Sequence, residues 1–173
     1  MAENDQYYIE QCLNGHPDEF RGLVRRYQAA LSAYLTGKLG NRSSAEEAAQ
    51  ETFVRAYFGL SKLKKHESFH SWLLGIASRV AKEQLRNAKQ FSDMDCLTQQ
   101  ASEERKVDME LEKAINDLPD SYREVILLRF YAGLSCSQIA EQLNMPIGTI
   151  TKQLSRAYAK LRQLLSGKKE VQK

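Results

Sequence analysis

The sequence predicts an all-α protein built of two small helical domains joined by a flexible linker. Three observations predict it. Only three prolines and nine glycines interrupt 173 residues, and between them apolar side chains recur every three or four positions, the period of a helix with one buried face. That periodicity fades from Asn87 to about Lys106 into Ser, Asp, Gln and Glu, a composition that buries too little apolar surface to fold alone. Beyond it the chain is cut into short periodic segments by turn formers. The expected division is 1–90, 91–106 and 107–173.

In the N-terminal part, Asn14-Gly15-His16 reads as a turn, and Pro17 suits the first position of a long helix. Phe20, Leu23, Val24, Tyr27, Leu31 and Leu35 form its apolar stripe, and Gly37 to Asn41 end it. A second helix is expected after Ser43 or Ser44, because Ser44-Ala45-Glu46-Glu47 has the spacing of a capping box. It runs to about Leu60. Ser61 to Glu67 reads as a basic loop, and a third helix follows from Ser68 with Trp72, Leu73, Ile76, Val80 and Leu85 toward the core. A tryptophan amid Leu73, Leu74 and Ile76 is read as core rather than as a ring for base stacking.

The last third divides into helical segments at about 107–116, 120–131, 135–143 and 146–165, separated by Leu118-Pro119, Gly133 and Asn144-Met145-Pro146. Ser135-Cys136-Ser137-Gln138 is a capping box opening a short helix with Ile139 and Leu143 inward. Asn144 tolerates the left-handed conformation that stops a helix, and Pro146 suits the start of the next. In that final helix Ile147, Ile150, Leu154, Ala157, Leu161 and Leu164 line one face. Thr149, Thr151, Lys152, Gln153, Ser155, Arg156 and Lys160 lie off this stripe and carry groups that reach phosphates or base edges in a major groove. Taken alone, a basic helix face is as often merely solvated. The short capped helix and the Asn-x-Pro turn before it make this one a DNA-recognition helix.

Charge distribution agrees with a polyanion partner. The net charge is only +3, but residues 1–90 hold 13 Lys/Arg against 10 Asp/Glu, residues 91–112 hold 2 against 7, and residues 113–173 hold 10 against 5. Two basic blocks therefore flank an acidic strip. Cys12, Cys96 and Cys136 lack CxxC spacing, which argues against a disulfide framework or thiolate zinc site. His66 and His70 are four apart but lack a third ligand at useful spacing. No nucleophile–base constellation appears, and neither a signal peptide nor a membrane span is read from the apolar runs. The expectation is a cytoplasmic binding protein, not an enzyme, without cofactor or metal.

Two ordered sets of motifs carry a resemblance. Ala45-Glu46-Glu47 with Gln50-Glu51-Thr52-Phe53, then Ser71-Trp72-Leu73-Leu74-Gly75-Ile76-Ala77 and Arg86, occupy the first half. Leu118-Pro119-Asp120-Ser121-Tyr122-Arg123-Glu124-Val125, Gly133-Leu134-Ser135 and Gly148-Thr149-Ile150 occupy the second. Over nearly its whole length the chain resembles the bacterial sigma-70-type transcription initiation factors of the small extracytoplasmic-function group, which keep only the second and fourth sigma domains.

That resemblance implies promoter recognition together with core RNA polymerase, the fourth domain reading the −35 element and the second helping to open the −10 element. It implies that Glu46, Glu47, Gln50, Glu51 and Arg55 dock onto the polymerase β′ coiled coil, and that the apolar start of the last domain meets the β flap. Lys62, Lys64, Lys65 and His66 in the loop, with Arg79, Lys82 and Arg86 on the following helix, become candidates for holding single-stranded −10 DNA. An anti-sigma factor is the further partner it implies. Thr151-Lys152-Gln153, Arg79 and Glu83 depart from the usual residues of the group, which puts the exact −35 and −10 preferences in doubt. Two other readings stand beside this one: a sigma mimic that titrates an anti-sigma factor, against which the retained basic faces argue, and a stand-alone helix-turn-helix regulator, against which the docking motif argues.

Overall fold

The computed structural model describes residues 2–91 and 105–166. Its elements are helical throughout the described residues, and chain contacts divide it into two compact units, Met1–Asn87 and Ala88–Lys173. Residues 92–104, most of the expected linker and including Cys96, lie outside the described residues.

The first unit begins with a helix that periodicity did not reveal, α1 (Ala2–Leu13). Gly15, at φ 92°, ends it, with the His16 amide donating back to the Gln11 carbonyl at 3.0 Å. Pro17 opens a single 3₁₀ turn, Pro17–Glu19, and the long helix proper is α2 (Phe20–Leu39). Gly37 lies inside α2, and the terminator is Gly40, left-handed at φ 75°. α3 (Arg42–Gly59) starts earlier than expected: the Asn41 side chain, not Ser43 or Ser44, accepts the Ser44 amide at 2.7 Å. An Asn in extended conformation is as good an N-cap as Ser, and it displaces the expected capping box, so Glu46 and Glu47 lie beyond the first turn.

Two 3₁₀ turns, Leu60–Lys62 and His66–Ser68, bracket the basic loop before α4 (Phe69–Phe91). The core of this unit is made of Ile9, Leu23, Leu31, Tyr34, Leu35, Ala45, Ala48, Leu73, Leu74, Ala77 and Val80, all essentially inaccessible. Each such leucine contributes about 1.5–3 kcal/mol relative to exposure. α4 outlasts its buried stripe: Leu85, expected inward, is exposed, as are Arg86 to Ala88. Over Leu85 to Ala88 helix propensity carries the helix where side-chain packing has stopped.

The second unit comprises α5 (Arg105–Asn116), α6 (Asp120–Ile126) continuing as a π turn at Leu127–Tyr131, α7 (Cys136–Leu143) and α8 (Ile147–Ser166). Arg123 caps α5 from outside, its guanidinium donating to the carbonyls of Ile115, Asn116 and Leu118 at 3.3, 2.6 and 3.0 Å. A cation at a helix C-terminus satisfies orphan carbonyls and complements the dipole. α8 packs on α5, α6 and α7 through Ile150, Leu154 and Ala157. Ile147, expected on that buried face, is 54% exposed, because the first turn of α8 precedes the packed seam.

Candidate nucleic-acid interface

The helix-turn-helix is set by local chemistry. Ser135 Oγ accepts the Gln138 amide at 3.2 Å while Gln138 Oε1 accepts the Ser135 amide at 2.9 Å, so both arms of the capping box are formed. Asn144 is the one non-glycine described with positive φ, at 52°, and the Met145 amide closes α7 on the Ala140 carbonyl at 2.9 Å. Pro146 precedes α8, and its carbonyl accepts from the Thr149 and Ile150 amides at 2.9 and 3.2 Å.

On α8, Thr151, Lys152, Ser155, Arg156 and Lys160 are exposed, whereas Thr149 and Gln153 are half-buried. Lys152, Arg156 and Lys160 are each one turn apart and form a cationic row. Thr151 spends its hydroxyl proton on the Ile147 carbonyl at 2.9 Å. Gln153 Oε1 is buried without a hydrogen-bond partner among the described residues.

In the first unit the basic residues are gathered from two elements. Lys62 of the loop and Arg79 of α4 line one cleft of about 290 Å³ with Arg55, Gly59, Trp72, Ile76 and Glu83. Trp72 was expected in the core; it is half-buried, its ring lining this cleft beside Gly59, where an added Cβ would meet it in ordinary contact at 3.4 Å. Lys64, Lys65, Lys82 and Arg86 are exposed outside this cleft, and His66 is half-buried. Arg79 is steadied by an Nε donation to the Gly75 carbonyl at 3.1 Å.

On α3, Glu46, Glu47 and Gln50 are exposed. Glu46 pairs with Arg42 at 2.8 Å, and Glu51 with Arg55 at 2.7 Å. Arg55 also reaches Glu83 of α4 at 2.8 Å. The bond from Arg55 holds the Glu83 carboxyl below the usual glutamate range, and Glu83, then Glu51, raise the Arg55 guanidinium further. Sequence reasoning missed this tie, since residues 28 apart are joined only by the fold.

A second missed feature lies behind the loop. Asp5 of α1, 4% exposed, accepts from the Arg26 guanidinium and the Tyr27 hydroxyl. The Tyr27 ring stacks on His70 with centroids 4.8 Å apart. Burial lowers the His70 pKa, opposed by Asp5, and so His70 is occupied by packing. Among the described residues no group of three or more His, Cys, Asp or Glu is placed to hold a metal. Cys136 is half-buried with a free thiol.

The family descriptions "Sigma-70 region 2" and "Sigma-70, region 4" match residues 23–91 and 108–161. The chain is similar to the ECF RNA polymerase sigma factor SigW of Bacillus subtilis, with 31% identity covering 91% of this chain and 94% of that one. The chain belongs to the ECF RNA polymerase sigma factors. It is also 30% identical to the ECF RNA polymerase sigma-E factor of Haemophilus influenzae, again covering 91% and 94%. Among solved structures, CnrH in complex with the cytosolic domain of CnrY superposes with a TM-score of 0.77 at 22% identity over 95% of this chain and 98% of that one, a likeness of fold. The sigma factor RpoE from Bartonella quintana, solved with the anti-sigma factor NepR, gives 0.73 at 25% identity over 86% and 97%. As an ECF sigma factor, this protein binds core RNA polymerase and directs promoter-specific initiation by recognising −35 and −10 elements. No helix among the described residues is long and apolar enough to cross a membrane.

Proposed function

We propose that the three surfaces divide that work. The α8 row, Lys152, Arg156 and Lys160 with Thr149, Thr151, Gln153 and Ser155, enters the major groove of the −35 element. The loop Lys62 to His66 and the α4 face Arg79, Lys82 and Arg86 hold the melted −10 strand, with residues 1–90 acting as one functional domain and 107–173 as the other. Glu46, Glu47, Gln50 and Glu51 meet the β′ coiled coil. Arg55 serves chiefly to brace α3 against α4 through Glu83, a role that its pairing with both Glu51 and Glu83 supports. The apolar start of the second unit takes the β flap.

The observation that carries this reading is the formed helix-turn-helix: a reciprocally capped α7, a left-handed Asn144 and an α8 whose exposed row is cationic while Ile150, Leu154 and Ala157 are buried. The protein works in the cytoplasm by binding alone, and an anti-sigma factor is its regulatory partner, by analogy with the CnrH and RpoE complexes. Mapping transcript starts made by core polymerase plus this chain over a randomised promoter library tests it. Enrichment of two short elements at fixed spacing upstream of a start is expected. Starts distributed without such elements would contradict it, and so would enrichment of one duplex motif bound equally well without polymerase.

A further inference from the structure

Tyr8, Arg21, Gly22 and Arg25 form a cationic, aromatic cleft that none of the roles above uses. α1 lies so close on α2 here that a Cβ added to Gly22 would collide with the Tyr8 ring; glycine alone lets the ring rest on the helix backbone. The cleft, about 400 Å³, is lined by these residues with Glu19 and Arg26. Arg26 is already engaged by Asp5. Arg21 and Arg25 are exposed, lie one turn apart, and form no ion pair with the described residues. Like charges at this spacing repel on a helix, and Glu19 supplies one carboxylate against two guanidinium groups. Tyr7, 51% exposed, meets Tyr8 edge-on with ring centroids 5.5 Å apart. α1 also packs against both 3₁₀ turns that bracket Lys64 and Lys65.

We propose that this cleft is a second contact for single-stranded nucleic acid, taking a phosphate between Arg21 and Arg25 and a base against the Tyr7–Tyr8 pair. Guanidinium forks match phosphate oxygens, and the exposed Tyr7 ring, supported edge-on by the half-buried Tyr8 of the cleft, offers the stacking surface that sequence-tolerant single-strand sites use. An acidic protein surface would satisfy the arginines but leave the ring pair unused. The inference rests on the reading of the Lys62–His66 loop as a single-strand site, since α1 packs on the two turns that bracket that loop.

The test is anisotropy of a fluorescein-labelled oligothymidylate titrated with the full-length chain between about 50 and 200 mM salt, each variant being checked for an unchanged melting curve. Arg21→Ala with Arg25→Ala is expected to weaken binding about tenfold at the lower salt and to make the log–log salt slope shallower by about 1.4, the release expected for two phosphates on a single strand. Tyr8→Phe should bind as the parent chain does, and Tyr8→Leu about fivefold more weakly or worse. Unchanged affinity in the folded arginine double variant overturns the proposal, as does absence of oligothymidylate binding by the parent chain. A loss confined to capture of core polymerase without DNA also overturns it, by assigning the arginines to a protein partner. Lys64→Ala with Lys65→Ala, run in parallel, separates the two readings: if only the lysine variant loses binding, the cleft is wrong and the loop stands, and if only the arginine variant does, the cleft stands and the loop reading fails.

Discussion

The two units present positive charge in different ways. In the second, the row Lys152, Arg156, Lys160 belongs to one helix, and its geometry follows from a spacing of four residues and from the cap and turn that fix where α8 starts. In the first, Lys62 and Arg79 come from a 3₁₀ turn and a helix 17 positions apart and line one cleft with Trp72. One contact between elements crosses that cleft, Arg55 of α3 to Glu83 of α4, and a second, Asp5 of α1 to Arg26 and Tyr27 of α2, ties the helices elsewhere in the same unit. A reading surface on a single helix suits a rigid duplex, whose groove accepts a helix as it is. A surface assembled from a loop, a ring and several cations suits a strand that has no fixed shape of its own.

The comparison can be broken most severely at Asp5. Asp5→Ala removes the buried acceptor shared by Arg26 and Tyr27, and losing hydrogen bonds to a charged group typically costs about 1.5–3 kcal/mol. Thermal unfolding should show the first unit melting earlier while the second is unmoved; equal shifts in both would contradict the independence of the two supports. Arg156→Ala comes next. It should lower −35-dependent transcription by about 1–3 kcal/mol in apparent binding, roughly 5- to 150-fold, with core-polymerase capture intact. Unchanged promoter output would remove Arg156 from the recognition face.

Ser135→Ala should cost about 1 kcal/mol of stability in the second unit through loss of its cap, read as a lower denaturant midpoint and weaker −35 binding with −10 strand binding preserved. The smallest effect is expected with pH. The His70 pKa is lowered on folding, so the folded state prefers the neutral ring; stability is full above the ordinary value of 6.5 and declines as pH falls below it toward the lowered value. His70→Phe should flatten that acid-side decline in the first unit, and an unaltered pH profile would show that His70 is not its source.

Much of this was legible in the sequence where the controlling contacts are local. The bounds of α6, α7 and α8 follow from Leu118-Pro119, Gly133, Ser135 to Gln138 and Asn144-x-Pro146, because each signal acts within about one helical turn. α1 went unread because its buried positions, Asp5 and Ile9 among them, make a short and partly polar stripe, although Asn14-Gly15 did mark its end. Trp72, Leu85 and Ile147 were misplaced for one reason. Periodicity gives the face of a helix but not how far along that face a neighbour extends. The Arg55–Glu83 tie and the Tyr8–Gly22 approach join residues far apart in sequence, and only the packed helices bring them together.

The most direct test of separate reading surfaces is a footprint of the polymerase complex on a promoter selected with this chain, combined with permanganate reactivity of melted thymines. Arg156→Ala should abolish upstream protection while residual complexes still melt the −10 region, and Lys64→Ala with Lys65→Ala should keep upstream protection while melting is lost. If both variants lose protection and melting together, the division of labour between the two units is wrong.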